Sequence, residues 1–156
     1  MTIDDSKGAA MRIDDAVWIE SGPTERSGRS ARPVTILLVD DEELVLRAIG
    51  RSLRDEDFQL VFTTEPRRAL DLIAEKRVDV IVCDQRMFGL LGVNLLAQVR
   101  SRHPHVVRIL MSANLDLDLA MRAVNESNVL QIVQKPWVGV KLRAMLHGVE
   151  QAIVGC

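Results

Sequence analysis

The sequence predicts a doubly wound α/β domain: five β/α units, (βα)5, forming one parallel five-stranded sheet with helices on both faces. Three observations carry that expectation. Short runs rich in Val, Ile and Leu recur from Val34 onward, and near-continuous apolar runs of this kind mark strands buried on both faces of a parallel sheet. Segments with helical spacing separate them. The connections are short, and right-handed crossovers then put helices on both sides of the sheet.

The chain opens on a stretch of different character. Residues 1–33 hold SGPTERSGRSARP and one short apolar patch at 16–19. That composition predicts a flexible N-terminal leader. Trp18 is an isolated aromatic in it, and Arg26, Arg29 and Arg32 read as solvated linker charges. Residues 34–153 carry the regular pattern. VTILLV at 34–39 is the first strand, with a helix over 43–54. FQLVF at 58–62 is the most clearly alternating run, which suits an edge strand, and a helix over 67–76 follows. VDVIVC at 78–83 is the third strand, before a helix over 91–102. VVRILM at 106–111 leads to a helix with Leu117, Ala120, Met121 and Val124 at i, i+3, i+4 and i+7. VLQIV at 129–133 is the last strand, and Leu142, Met145, Leu146 and Val149 repeat the helical spacing after it.

With 156 residues the chain is long enough for one domain with a core plus a tail. A formal net charge of −2 gives no bulk attraction to nucleic acid or to a membrane surface. No apolar run approaches the roughly 20 residues of a spanning helix. The start, MTIDDSKGAA, lacks the basic-then-apolar order of a secretory signal, so a cytoplasmic protein is expected. Cys83 and Cys156 supply neither a disulfide framework nor metal-ligand spacing.

In open α/β sheets chemistry gathers beyond the carboxyl ends of the strands. The first strand ends in Asp40 and Asp41, the third in Asp84, the fourth in Ser112, and the fifth in Lys135, with Pro136 after it. LLVDDEE at 37–43 drives an apolar run straight into four carboxylates. Like charges this close raise one another's pKa, so the cluster calls for a positive partner. Three carboxylates, a hydroxyl and an ammonium should converge on one edge of the sheet.

The stretches LLVDDEE, VIVCDQRMFGLLGVNLL, RILMSA and QIVQKPW, in this order and spacing, resemble the receiver domain of two-component response regulators. The resemblance covers residues 34–153 and implies a flavodoxin- or CheY-like sheet of strand order 2-1-3-4-5. It also implies roles. Asp84 would be the phospho-acceptor, since an aspartate can form an acyl phosphate. Asp41 would ligate Mg²⁺ directly and Asp40 mainly through a water, with Asp84 and the backbone carbonyl of Arg86 completing the protein's oxygens; Mg²⁺ favours one or two carboxylates plus phosphate and water. Lys135 would pair with a phosphoryl oxygen and Ser112 would hydrogen-bond another. Glu42 and Glu43 fall in the first turn of the next helix, where the dipole favours negative charge. The implied partners are a sensor histidine kinase or phosphotransfer protein and an unknown output protein, with no membrane and no direct nucleic acid. A homodimer is compatible with such a switch. Output by binding another protein, with no attached output domain, is the expectation, and the chain is not expected to be a conventional enzyme.

Phe88 stands where the family's DxxMPG pattern has Pro, and Gly89 keeps the turn. Ile132 stands where the family has an aromatic residue three before the Lys. Arg86 and Asn114 fall two residues after Asp84 and Ser112, positions that flank the path of the attacking water in the family. An Asp pair after a strand can simply cap a helix. Cys83 fits a small core residue. His103 and His105 lack a third ligand and fit a solvated loop. Trp137 should pack at the start of the last helix, and Lys135–Pro136 could hold a cis peptide, as in the family. Two other function classes compete. One is a receiver-like protein-interaction module that is not phosphorylated. The other is an enzyme: a flavodoxin-like redox protein or an aspartate-dependent phosphohydrolase. DDEE after the first strand would repel a flavin's phosphate, and the hydrolase would want its nucleophile there, within D-x-D.

Overall fold

The computed structural model describes residues 10–22, 32–135 and 139–154. In chain order the elements are β1 (Ala10–Arg12), β2 (Val17–Ser21), β3 (Val34–Val39), α1 (Glu43–Ser52), β4 (Phe58–Thr63), a 3-10 turn (Pro66–Arg68), α2 (Ala69–Glu75), β5 (Val80–Asp84), β6 (Arg86–Met87), β7 (Leu90–Leu91), α3 (Gly92–Arg102), β8 (Val107–Ser112), α4 (Leu117–Asn125), β9 (Gln131–Gln134) and α5 (Gly139–Val154). The main sheet runs β1-β2-β4-β3-β5-β8-β9. Its β4-β3-β5-β8-β9 part is parallel, and is the 2-1-3-4-5 order expected of the five β/α units.

Period-two alternation splits the core across the sheet. Leu37, Val61, Ile81 and Leu110 join the apolar side chains of α2 and α3. Leu38, Phe62, Val82 and Ile109 join Leu46 and Ile49 of α1 and Leu142 and Leu146 of α5. The periodicity of α5 is therefore a core face. That of α4 is not. Leu117, Met121 and Val124 are 74%, 52% and 57% exposed, and α4 sits on the domain through Ala123 and the partly buried Leu119.

Part of the supposed leader is sheet, which corrects the flexible reading for residues 10–22. β1 and β2 form an antiparallel hairpin, and β2 pairs antiparallel with β4 from Val17↔Thr63 to Ser21↔Gln59. The turn is built by Asp14, whose Oδ1 accepts from the amides of Ala16 and Val17 at 2.9 and 3.0 Å; its other oxygen pairs with Arg68. Val17 and Ile19 enter one core and Trp18 the other. Trp18 is buried, stacked on Phe62 at 5.0 Å between ring centroids, with the guanidinium groups of Arg12 and Arg47 over its ring. The FQLVF strand is thus interior, not an edge. Arg32 is no solvated linker charge either, because it makes a two-pronged ion pair with Asp79 at 2.8 and 2.9 Å. Arg26, Arg29, Pro136 and Trp137 lie outside the described residues, as do the rest of the leader and the proline peptide. Among the described residues no helix is long and apolar enough to cross a membrane.

Candidate functional site at the carboxyl edge of the sheet

Each strand delivers its polar residue where the backbone ladder stops. Asp40 follows β3, and its amide still reaches the Thr63 carbonyl at 3.3 Å. The Asp40 carboxylate is buried and accepts from the Glu42 amide at 2.9 Å, so it shapes the entry to α1. Glu43 is engaged by Arg47 at 2.9 Å, away from any shared ligand cluster. Asp84 is the last residue of β5, buried and paired with Met111 of β8. Lys135 is held by its amide, which donates to the Ser112 carbonyl at 2.8 Å.

The result is a compact charge constellation. Asp40, Asp41 and Asp84 each present a carboxylate oxygen, all within 4.8 Å of one another. Lys135 Nζ lies 2.9 Å from Asp84 Oδ1 and 3.2 Å from Asp40 Oδ2. Burial pushes the Asp40 carboxyl up to about 6; Asp84 adds to the rise, while the Glu42 amide and Lys135 oppose it. Burial works against the Lys135 ammonium, but its contacts with Asp84 and Asp40 outweigh that and hold its pKa above an ordinary lysine. Three carboxylates thus face one ammonium. The residual negative charge is what a divalent cation balances, and an all-oxygen donor set suits a hard one.

The loop after Asp84 is equally specified. Gln85 is buried; its carbonyl accepts from the Gly92 amide and its side chain from the Val93 amide, both at 2.9 Å. One residue thereby ties the start of α3 to the end of β5. Gly92 permits the contact, since a Cβ there would fall 2.3 Å from the Asp84 carbonyl oxygen. Arg86 and Met87 pair with Leu91 and Leu90, closing a two-residue turn of Phe88 and Gly89. Gly89 has φ +80°, a value that favours glycine. The Phe88 amide donates to Asp41 Oδ2 at 2.8 Å, and the ring above it is 93% exposed.

The structure therefore gathers Asp40, Asp41, Asp84 and Lys135. Ser112 ends β8 as expected, but its hydroxyl donates to the Asn114 carbonyl at 2.9 Å. The Arg86 side chain is exposed. Burial raises the Cys83 thiol well above its ordinary pKa, in keeping with a core residue. Sequence reasoning missed Gln85, Gly92 and the Phe88 amide. The signal for the first two was a glycine opening the helix over 91–102, where close approach of a neighbouring strand asks for no side chain.

Beyond Ser112, residues 113–118 are exposed up to the start of α4, whose cap is Asp116 accepting from the Leu119 amide at 2.8 Å. The far end of α4 is fastened. Arg108 is buried and donates to the carbonyls of Ser127 and Val106 at 2.8 Å, and Arg100 reaches that of Asn125 at 3.0 Å.

Comparison with known proteins agrees with this geometry. A family model described as "Response regulator receiver domain" matches residues 36–147. The hydrogenase transcriptional regulatory protein HoxA of Cupriavidus necator is 41% identical over 109 residues, covering 70% of this chain and 22% of that protein. The DNA-binding transcriptional regulator NtrC of Escherichia coli is 31% identical over 121 residues, covering 74% of this chain and 26% of that protein. The chain thus spans about a quarter or less of the length of these curated relatives. Among solved structures, the signal receiver domain of an HD domain-containing protein from Pseudomonas fluorescens Pf-5 superposes with a TM-score of 0.74 at 30% identity, over 78% of this chain and 97% of that one.

Proposed function

Because the chain belongs to the response regulator receiver family, we propose that it is a Mg²⁺-dependent phosphorylation switch with Asp84 as the acceptor. The observation that carries this reading is the cluster of three carboxylates at the carboxyl edge of the sheet, two of them paired with Lys135. A carboxylate oxygen of Asp84 attacks the phosphorus of a phosphohistidine on a kinase or phosphotransfer protein. The P–N bond breaks, an acyl phosphate forms, and the imidazole leaves and takes up a proton. Asp40, Asp41, Asp84 and the Arg86 carbonyl would hold Mg²⁺, which would supply charge neutralisation at the phosphoryl oxygens. Lys135 leaves its bond to Asp84 Oδ1 for a phosphoryl oxygen. Ser112 exchanges the Asn114 carbonyl for another phosphoryl oxygen, which frees residues 113–116. Fastened at its far end by Arg108, α4 responds at its near end, and its exposed Leu117, Met121 and Val124 form the face read by the output protein.

Incubation with Mg²⁺ and acetyl phosphate, followed by intact-mass measurement, tests the assignment. The parent gains one phosphoryl group and Asp84→Ala gains none. Persistence of the adduct in Asp84→Ala overturns the acceptor, and a parent unmodified by any donor favours the interaction module.

A further inference from the structure

Phe88 departs from the family pattern in a way that adds a functional group. A proline in its place has no N–H, whereas the Phe88 amide donates to Asp41 Oδ2 at 2.8 Å. We infer that this amide is a positioning donor for Asp41: it fixes one carboxylate oxygen so that the other is held toward Asp40 and Asp84, raising the affinity of the site for Mg²⁺. The inference rests on the proposed metal-dependent switch.

Three observations support the role. Asp41 is exposed, unlike Asp40 and Asp84, so packing does not lock its rotamer and a free carboxylate would sample several orientations. The donor, in contrast, is rigidly placed: Phe88 sits in the two-residue turn closed by Arg86↔Leu91 and Met87↔Leu90, and that turn leads directly to Gly92 packed on the Asp84 backbone. The hydrogen bond is also economical in lone pairs. A carboxylate has two oxygens with about four acceptor sites, so an N–H on Oδ2 leaves Oδ1 free. Hydrogen bonds to metal-ligating carboxylates orient them, and losing such an outer partner typically weakens metal binding by about 10–100-fold. The donor is neutral and one of several determinants here, which places the effect at the low end.

Phe88→Pro is a conformationally mild way to delete the donor. Phe88 has no positive φ and Gly89 after it has φ +80°, the pattern of a type II turn, in which proline is common at the first central position. Mg²⁺ affinity is read by titration calorimetry and by the Mg²⁺-dependent rise in melting temperature. Phe88→Pro should raise the Kd about tenfold, and Phe88→Leu, which keeps the amide, should restore the parent value within about twofold. A second measurement uses the parent alone: the Phe88 amide proton, assigned by NMR, should lie downfield and should stay there when Mg²⁺ saturates the site. A Phe88→Pro Kd within about twofold of the parent overturns the inference. So does a Phe88 amide that moves upfield on Mg²⁺ saturation, because the bond would then compete with the ion. A parent that binds Mg²⁺ while Phe88→Pro and Phe88→Leu weaken alike assigns the effect to the ring and leaves the metal-site reading standing. A parent that binds no Mg²⁺ overturns both.

Discussion

Replacing Trp18 by Ala tests whether the N-terminal hairpin is an integral part of the domain. The indole is 1% exposed, stacked on Phe62 with an interplanar angle of 13°, overlain by Arg12 and Arg47, and bonded through Nε1 to Glu20 at 3.1 Å. A large aromatic buries about 150–250 Å², and truncating a buried one to Ala typically costs about 3–5 kcal/mol. Here a ceiling applies. β2 joins the domain through β4 and the two cores, with Asp14–Arg68 and Arg12–Glu43 ion pairs beside it, so a hairpin that loses its anchor can lift off while the rest stays folded. The cost of Trp18→Ala therefore cannot exceed that of deleting residues 1–22. We expect about 3 kcal/mol, the low end of that range, in urea unfolding followed by far-ultraviolet circular dichroism, together with faster amide exchange at Val17, Ile19 and Phe62. A loss below about 0.5 kcal/mol, the level of an ordinary surface change, or a loss larger than the deletion causes, would refute the docked-hairpin reasoning.

Three further outcomes follow from the site. In ion-free protein, Asp40 has its pKa raised by burial from 3.8 to about 6; the fold favours the protonated form, so stability is lost as pH rises from about 4 through 6. Comparing parent with Asp40→Asn in EDTA should show the parent losing on the order of 3 kcal/mol more across that window, and parallel pH profiles would contradict it. Gly92→Ala forces a Cβ onto the Asp84 carbonyl; it should destabilise the fold by about 1–3 kcal/mol and slow phosphorylation by acetyl phosphate, whereas an unchanged rate would show that the acceptor strand tolerates the shift. Ser112→Ala should shrink the amide-shift response of residues 113–135 to beryllium fluoride strongly, and Ile132→Val should leave it nearly intact, because a β-branched side chain is stiff at χ1; the reverse ranking would make Ile132 the switch residue.

What the chain disclosed in advance depended on how local the signal was. Four of the five parallel strands are runs buried on both faces, β9 being the exposed border, and a run of that kind carries its own signature, as VTILLV does. The strand-end residues followed from topology, since a parallel sheet sends every carboxyl end to the same edge and so gathers Asp40, Asp84 and Lys135 from distances of up to 95 residues. The hairpin was obscured because its four apolar residues at 16–19 lie in a polar, acidic neighbourhood, and what makes them a strand is the edge of β4, which lies elsewhere in the sequence. Asp14 and Asp15 between the MRI and AVWIE stretches were the available turn signal. The Leu117, Met121 and Val124 stripe shows the opposite failure: helical spacing reports an apolar face, not what covers it. The Phe88 amide was invisible for a third reason, because a backbone donor is common to every residue but proline and its target is set only by the turn.

The hairpin also changes how this sheet meets other molecules of its own kind. Bare, β4 would present the six-residue edge FQLVFT, uncharged and rich in β-formers, which is a template for strand-on-strand accretion. With the hairpin in place the outermost strands are β1, three residues long and ending in Arg12, and β9, four residues long. Short borders of this sort give an incoming chain little ladder to extend. Solubility at high concentration is therefore a property of the first two strands, and a preparation trimmed to residues 34–153 should precipitate at concentrations where the whole chain stays dispersed.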